Sequence, residues 1–335
     1  MKNWIELPED RRKEIFTQAA AKLNLTTESV EKDFWVVVVL RAIFSLEISD
    51  QLVFKGGTSL SKCWEYLQRF SEDIDIAMNR ELIGFGGDLS NTQAKKMRKV
   101  ACQFVSNEFK EMLQQRLIEM GFSAEELSVV AEETEPGTTD RDPQKLFVNY
   151  NSIVSRGGYL KDKVIIEVGS RSQLEPAESK ELNSLVSKAF PDEQFNQDPL
   201  LVIAISPKRT FMEKLILLHE EFQKPPEQIR NERMSRHLYD LERLMDTEYG
   251  IEALKDQELF KTIVAHRSKF TSIKGVDYET LEMGSLSFIP PDNLLSAWEK
   301  DYNKMREEMF YGASLEFAEL IKRLNELSAR LKSVN

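Results

Sequence analysis

Residues Phe54–Ile76 read FKGGTSLSKCWEYLQRFSEDIDI. A short strand, QLVFKGG, ends in two glycines; TSLSKCWEYL continues as a helix capped by Thr58; SEDIDIAM forms a second strand. Residues two apart on a strand share a face, so Asp73 and Asp75 project together while Ile74 and Ile76 turn into the core. Two carboxylates that close repel unless a cation lies between them, and a hard ion such as Mg²⁺ takes oxygen ligands. An exposed strand edge with its acids in water would show the same spacing. The neighbouring KGGTS favours the metal-binding reading. Gly56 and Gly57 let backbone approach a ligand closely, a helix start offers unpaired N–H groups, and Thr58 and Ser59 add hydroxyls. The stretch therefore predicts a phosphate cradle beside a metal-binding acid pair, and phosphates and Mg²⁺ occur together in nucleotides.

The rest of the chain sets bounds on that reading. Its 335 residues are enough for a well-buried core and two domains. Hydrophobic residues make up 41% and charged residues 30%, as in an ordinary globular protein. No apolar run approaches the roughly 20 residues of a membrane helix, and MKNWIELPEDRRKEIF has no signal-peptide core. Cys63 and Cys102 form no CxxC pair, which points to a reducing cytoplasm and away from disulfides or structural zinc. A net charge of −11 disfavours coating nucleic acid by bulk charge. Local basic runs remain: Lys95, Lys96, Arg98 and Lys99 in KKMRK, and Lys261, Arg267, Lys269 and Lys274 between Leu259 and Val276. Each is either a solvated face or an RNA contact.

Helices are expected over PEDRRKEIFTQAAAKLN and TTESVEKDFWVVVVLRAIFSL. VVVV alone would suit a strand, but its flanks favour one long helix. A long amphipathic helix is expected over roughly Asn91–Gly121, then two strand-like pieces around a polar loop with Pro136 and Gly137. KDKVIIEVGS and LVIAISP read as strands, with residues 170–199 mostly connection. From Lys208 the pattern is almost wholly helical. The expected architecture is α+β: residues 1–207 form a small mixed sheet flanked by helices, and residues 208–335 a helical domain.

Glu167 interrupts the apolar strand KVIIEV. It either faces water or joins Asp73 and Asp75 in a three-carboxylate site, about the donor number that a two-metal phosphoryl-transfer centre requires. In SPKRTFMEKLILLHEEF, Phe211, Leu215, Leu218 and Phe222 form one helix face, with Lys214 on or beside it. Spacing alone favours a lysine whose stem packs while its amine reaches water. Arg236, Asp240 and Arg243 share a face of the next helix, as a surface ion-pair ladder would. His219, His237 and His266 form no metal motif and read as structural. No Walker A spacing or Ser-His-Asp context occurs.

The Gly-Gly turn followed one helix later by Asp-x-Asp resembles the first motif of the AbiEii/AbiGii-type nucleotidyltransferase toxins of the DNA polymerase beta-like superfamily. VEKDFWVVVVLRAIF, RTFMEKLILLHEE, SRHLYDLERLM and DYNKMREEMFYG also resemble that family, so the likeness spans most of the chain. The related toxins often carry Lys-Asp where this chain has Arg236-His237. The resemblance implies a nucleotidyltransferase that moves an NMP from an NTP to an acceptor, with two Mg²⁺ ions. Gly56, Gly57, Thr58, Ser59 and Lys214 would bind the nucleotide; Asp73, Asp75 and Glu167 would bind metal; Lys214 and Asp240 would complete the catalytic set. It further implies the 3′ end of tRNA as acceptor, a cognate antitoxin, and a role in phage defence. The alternatives are a non-catalytic RNA- or nucleotide-binding protein on the same scaffold and NMP transfer to a protein.

Overall fold

The computed structural model describes residues 2–70, 73–133, 142–154 and 162–333. Chain contacts divide these into two compact units, Met1–Trp64 with Phe70–Ile205, and Glu65–Arg69 with Ser206–Asn335.

The first unit begins with α1 (Lys2–Ile5), α2 (Glu9–Leu23) and α3 (Thr27–Ile43). The Thr26 side chain caps α3 by accepting from the Ser29 N–H at 3.2 Å. Val36–Val39 are helical despite their β-branched side chains because α3 is buried on every side, each of these valines being 5% exposed or less. Its first turns also bury Glu31, Lys32 and Asp33, and each has a partner. Glu31 accepts from the Ser152 hydroxyl and, at 2.9 Å, from the Ile153 N–H. Lys32 donates to the Lys163 carbonyl. Asp33 accepts from the Leu185 N–H at 2.7 Å and pairs with Lys62.

Next come β1 (Leu52–Lys55), α4 (Gly56–Lys62) and β2 (Asp73–Met78). The helix expected to be capped by Thr58 begins instead at Gly56, with no side-chain cap, and ends at Lys62. Residues 71 and 72 of the expected second strand lie outside the described residues. The expected helix of roughly Asn91–Gly121 runs as α5 (Asn91–Phe104) and α6 (Lys110–Glu119), joined by a π-helical turn at Val105–Phe109. Then follow β3 (Leu127–Ala131), β4 (Gln144–Tyr150), β5 (Lys163–Gly169), β6 (Ala177–Leu182), α7 (Leu185–Ala189) and β7 (Leu200–Ile205). The polar loop with Pro136 and Gly137 lies outside the described residues.

The sheet order is β3-β4-β5-β2-β1-β7-β6, a mixed sheet with β2 parallel to β5 and β1 parallel to β7. Phe54, Ile74, Ile76, Ile166 and Val202 lie on one face against the helices and are 1% exposed or less. Burying an isoleucine of this kind stabilises the fold by about 1.5–3 kcal/mol. Strand β6 was expected to be connection. AESKEL forms the sheet's edge, so it needs few apolar residues and carries none of the run that marks a central strand.

The second unit holds α8 (Pro207–Phe222), α9 (Arg236–Leu244), α10 (Glu248–Ala253), α11 (Gln257–Phe270), α12 (Leu295–Glu308) and α13 (Phe317–Ser333). Pro207 opens α8 at the first helical position, where its missing N–H costs nothing.

Candidate active site

The turn between β1 and α4 is built on Gly56. Its φ is +80°, a region L side chains rarely adopt, and a Cβ there would stand 2.0 Å from Asp75 Oδ2. Backbone and carboxylate thus approach in a way only glycine allows. Thr58 and Ser59 are buried. The Thr58 hydroxyl donates to the Asp73 carbonyl and the Ser59 hydroxyl to the Gly56 carbonyl, so both tie the turn to its own backbone.

Strand register brings the acids together. Asp75 lies opposite Glu167 on the parallel strand β5, and Asp73 lies opposite Ile165. Asp73, Asp75 and Glu167 therefore share one sheet face, half-buried, while Ile74, Ile76 and Ile166 fill the other. The row extends both ways. Lys55 on β1 pairs in register with Asp75, and Lys145 on β4 with Glu167. Lys55 Nζ donates to Ser172 Oγ at 2.7 Å, and Lys145 Nζ lies 2.7 Å from Glu167 Oε1. Partial burial opposes the charge on Lys145, but the Glu167 hydrogen bond and the charges of Glu167, Glu132 and Asp73 raise its pKa overall. Neither lysine was singled out from sequence, since a lone lysine at a strand position carries no periodic signal.

Lys214 and Asp240 belong to the helical unit, where α8 and α9 pack together. Asp240, fully buried on α9, accepts from Arg69 Nε at 2.7 Å and Nη2 at 2.8 Å, and Lys214 Nζ lies 2.8 Å from its Oδ2. The expected surface ladder of Arg236, Asp240 and Arg243 is thus not what holds Asp240. Desolvation acts to raise the Asp240 pKa, but the two cations beside it hold the carboxyl well below the usual range. Burial lowers the pKa of Lys214, and the charges of Arg69 and Arg236 add to this against the opposing pull of Asp240. His237 Nδ1 lies 3.3 Å from Lys214 Nζ. Burial first, then the charges of Lys214 and Arg236, push His237 far below its ordinary pKa, so the ring is neutral and its Nδ1 accepts from the ammonium. Arg69 was missed in the sequence; it sits in an irregular stretch, 171 positions from its partner.

A family model described as nucleotidyl transferase AbiEii toxin, type IV toxin–antitoxin system, matches residues 38–323. The chain belongs to the AbiEii family. It is a nucleotidyltransferase, and membership of a type IV toxin–antitoxin family implies a nucleotide substrate and an antitoxin partner. No curated protein matches this AbiEii-family chain. Among the described residues, no helix is long and apolar enough to cross a membrane.

The donor chemistry of the sheet face suits a hard divalent ion: Asp73 and Asp75 offer adjacent carboxylates with Glu167 across from them. The three side chains are not closed into a cage, and among the described residues no group of three Asp, Glu, His or Cys is gathered around a metal position. Glu167 is turned to Lys145 instead. Of the two basic runs, Lys95, Lys96 and Lys99 are exposed on α5. On α11, Arg267 is engaged with Glu220 through Nε, at 2.8 Å, and Nη2, while Lys274 beyond the helix is exposed.

Proposed function

We propose that this AbiEii-family enzyme transfers an NMP from an NTP to the 3′ end of tRNA with Mg²⁺ as cofactor, arresting translation as a toxin and serving in phage defence. The observation that carries the reading is the register of Asp75 against Glu167, with Asp73 on the same face and the Gly56 turn pressed against Asp75. In this reading Gly56 and Gly57 let the triphosphate approach backbone, and Thr58 and Ser59 hold the turn in shape. Asp73 and Asp75 hold the metal, with Glu167 completing the set. A bound divalent ion would neutralise phosphate charge and lower the pKa of an attacking hydroxyl.

The chain's own residues do the rest. The 3′-hydroxyl of the acceptor, giving up its proton with help from the Glu167 carboxylate, attacks the α-phosphorus in line and pyrophosphate leaves. Such a reaction depends on positioning and charge, with little covalent work for the protein. Lys214, held by Asp240, offsets charge on the phosphates. Asp240 fixes that ammonium and does not itself ligate metal. The exposed lysines of α5, together with Lys261, Lys269 and Lys274, are the candidates for contact with the RNA backbone.

The test is incubation with labelled NTPs, Mg²⁺ and total RNA. Label should enter the tRNA fraction and disappear in Asp75→Ala. Label migrating with protein instead would identify a protein acceptor, and label on neither would overturn the reading.

A further inference from the structure

Four neighbouring strands place Lys55, Asp75, Glu167 and Lys145 at one register position, so two acids are bracketed by two lysines on one sheet face. The outer lysines differ in what they do. Lys55 reaches Ser172, whereas Lys145 reaches Glu167.

Lys145 is firmly placed. Its strand is paired along its length with β5 on one side, and its carbonyl accepts from the Glu132 N–H at 2.9 Å on the other. Its ammonium occupies the side of Glu167 with a positive charge, and the side chains of the pair are 38% and 23% exposed. An ion pair this open to solvent contributes only about 0–1 kcal/mol, so Lys145 can release Glu167 at small cost. Asp73 and Asp75, two residues apart on one strand, are in contrast bound to share a face whatever the lysine does.

We propose that Lys145 is the resident counter-cation of Glu167, so that without nucleotide the chain takes a divalent ion through Asp73 and Asp75 alone, and Glu167 becomes a ligand only when Lys145 releases it. This rests on the reading of Asp73 and Asp75 as metal ligands. Lys145 is then a positioning residue, governing when the third carboxylate is available.

Calorimetric titration of the full chain with Mn²⁺ alone tests this without any measurement of turnover. Lys145→Met should bind one more equivalent than the wild type, or bind Mn²⁺ up to about fivefold tighter. The gain should vanish in Lys145→Met/Glu167→Gln. Equal stoichiometry and affinity in the wild type and Lys145→Met would overturn the proposal. Glu167→Gln gives a second measurement that does not depend on Lys145→Met folding: it should leave Mn²⁺ binding unchanged, and a clear loss would likewise overturn the proposal. The underlying reading fails separately, if Asp73→Asn/Asp75→Asn binds Mn²⁺ as the wild type does.

Discussion

A side chain on residue 56 would collide with the carboxylate of Asp75: the Cβ position of Gly56 is 2.0 Å from Asp75 Oδ2. With φ at +80°, Gly56→Ala meets both a clash and a strained backbone. We expect a loss of about 1–3 kcal/mol in stability from the strain, together with displacement of Asp75. Urea denaturation reads the first and nucleotidyl transfer the second. Wild-type values for both would mean the close approach is unimportant.

Asp73→Asn and Asp75→Asn preserve shape while removing charge. Each should leave the melting temperature unchanged or slightly raised, since like charges on one strand face repel. Each should lower turnover by at least about 10²–10³-fold, the range seen when a group that stabilises developing charge is removed. A well-folded double variant that retains transfer would refute the carboxylate assignment.

The Arg69–Asp240 pair is buried, with side chains 2% and 0% exposed. Arg69→Met strands most of the Asp240 charge, and breaking a buried pair from one side costs about 3–5 kcal/mol. A double-mutant cycle of Arg69→Met with Asp240→Leu measures the coupling between the pair, Lys214 losing its carboxylate wherever Asp240 is replaced. Because the folded-state pKa of Asp240 is depressed, its stabilising effect is present above the ordinary carboxylate value near 4 and is lost as pH falls below it. Asp240→Asn should flatten that part of the acid-unfolding curve.

Lys214→Ala should cut turnover by about 10²–10³-fold if its ammonium faces phosphate. Asp240 is what raises the Lys214 pKa against burial and the neighbouring arginines. In Asp240→Asn the alkaline fall in kcat, as Lys214 loses its proton, should therefore move to lower pH. An unshifted limb would detach Lys214 from the profile.

Glu31 titrates in the opposite sense to Asp240. Burial raises its pKa despite hydrogen bonds from Ser152 and Ile153. Its contribution to stability is full below the unfolded value of about 4.3 and is lost as pH rises through the raised folded value. Glu31→Gln should remove that slope from denaturation midpoints measured between about pH 4 and 8.

Local periodicity made much of the molecule legible. The backbone of a strand sends alternate residues to opposite faces whatever surrounds it, so Asp73 and Asp75 separate from Ile74 and Ile76 by spacing alone. The Gly-Gly turn carries its signal likewise, because a left-handed φ selects glycine. The partners of those residues were settled only by tertiary structure. Lys145 meets Glu167, and Arg69 meets Asp240, through register and packing between distant segments. Strand β6 exists because β7 offers it an edge, and Val36–Val39 are helical because their surroundings bury every side. Those outcomes depend on apolar burial summed over the whole core, a quantity that no single stretch of sequence contains.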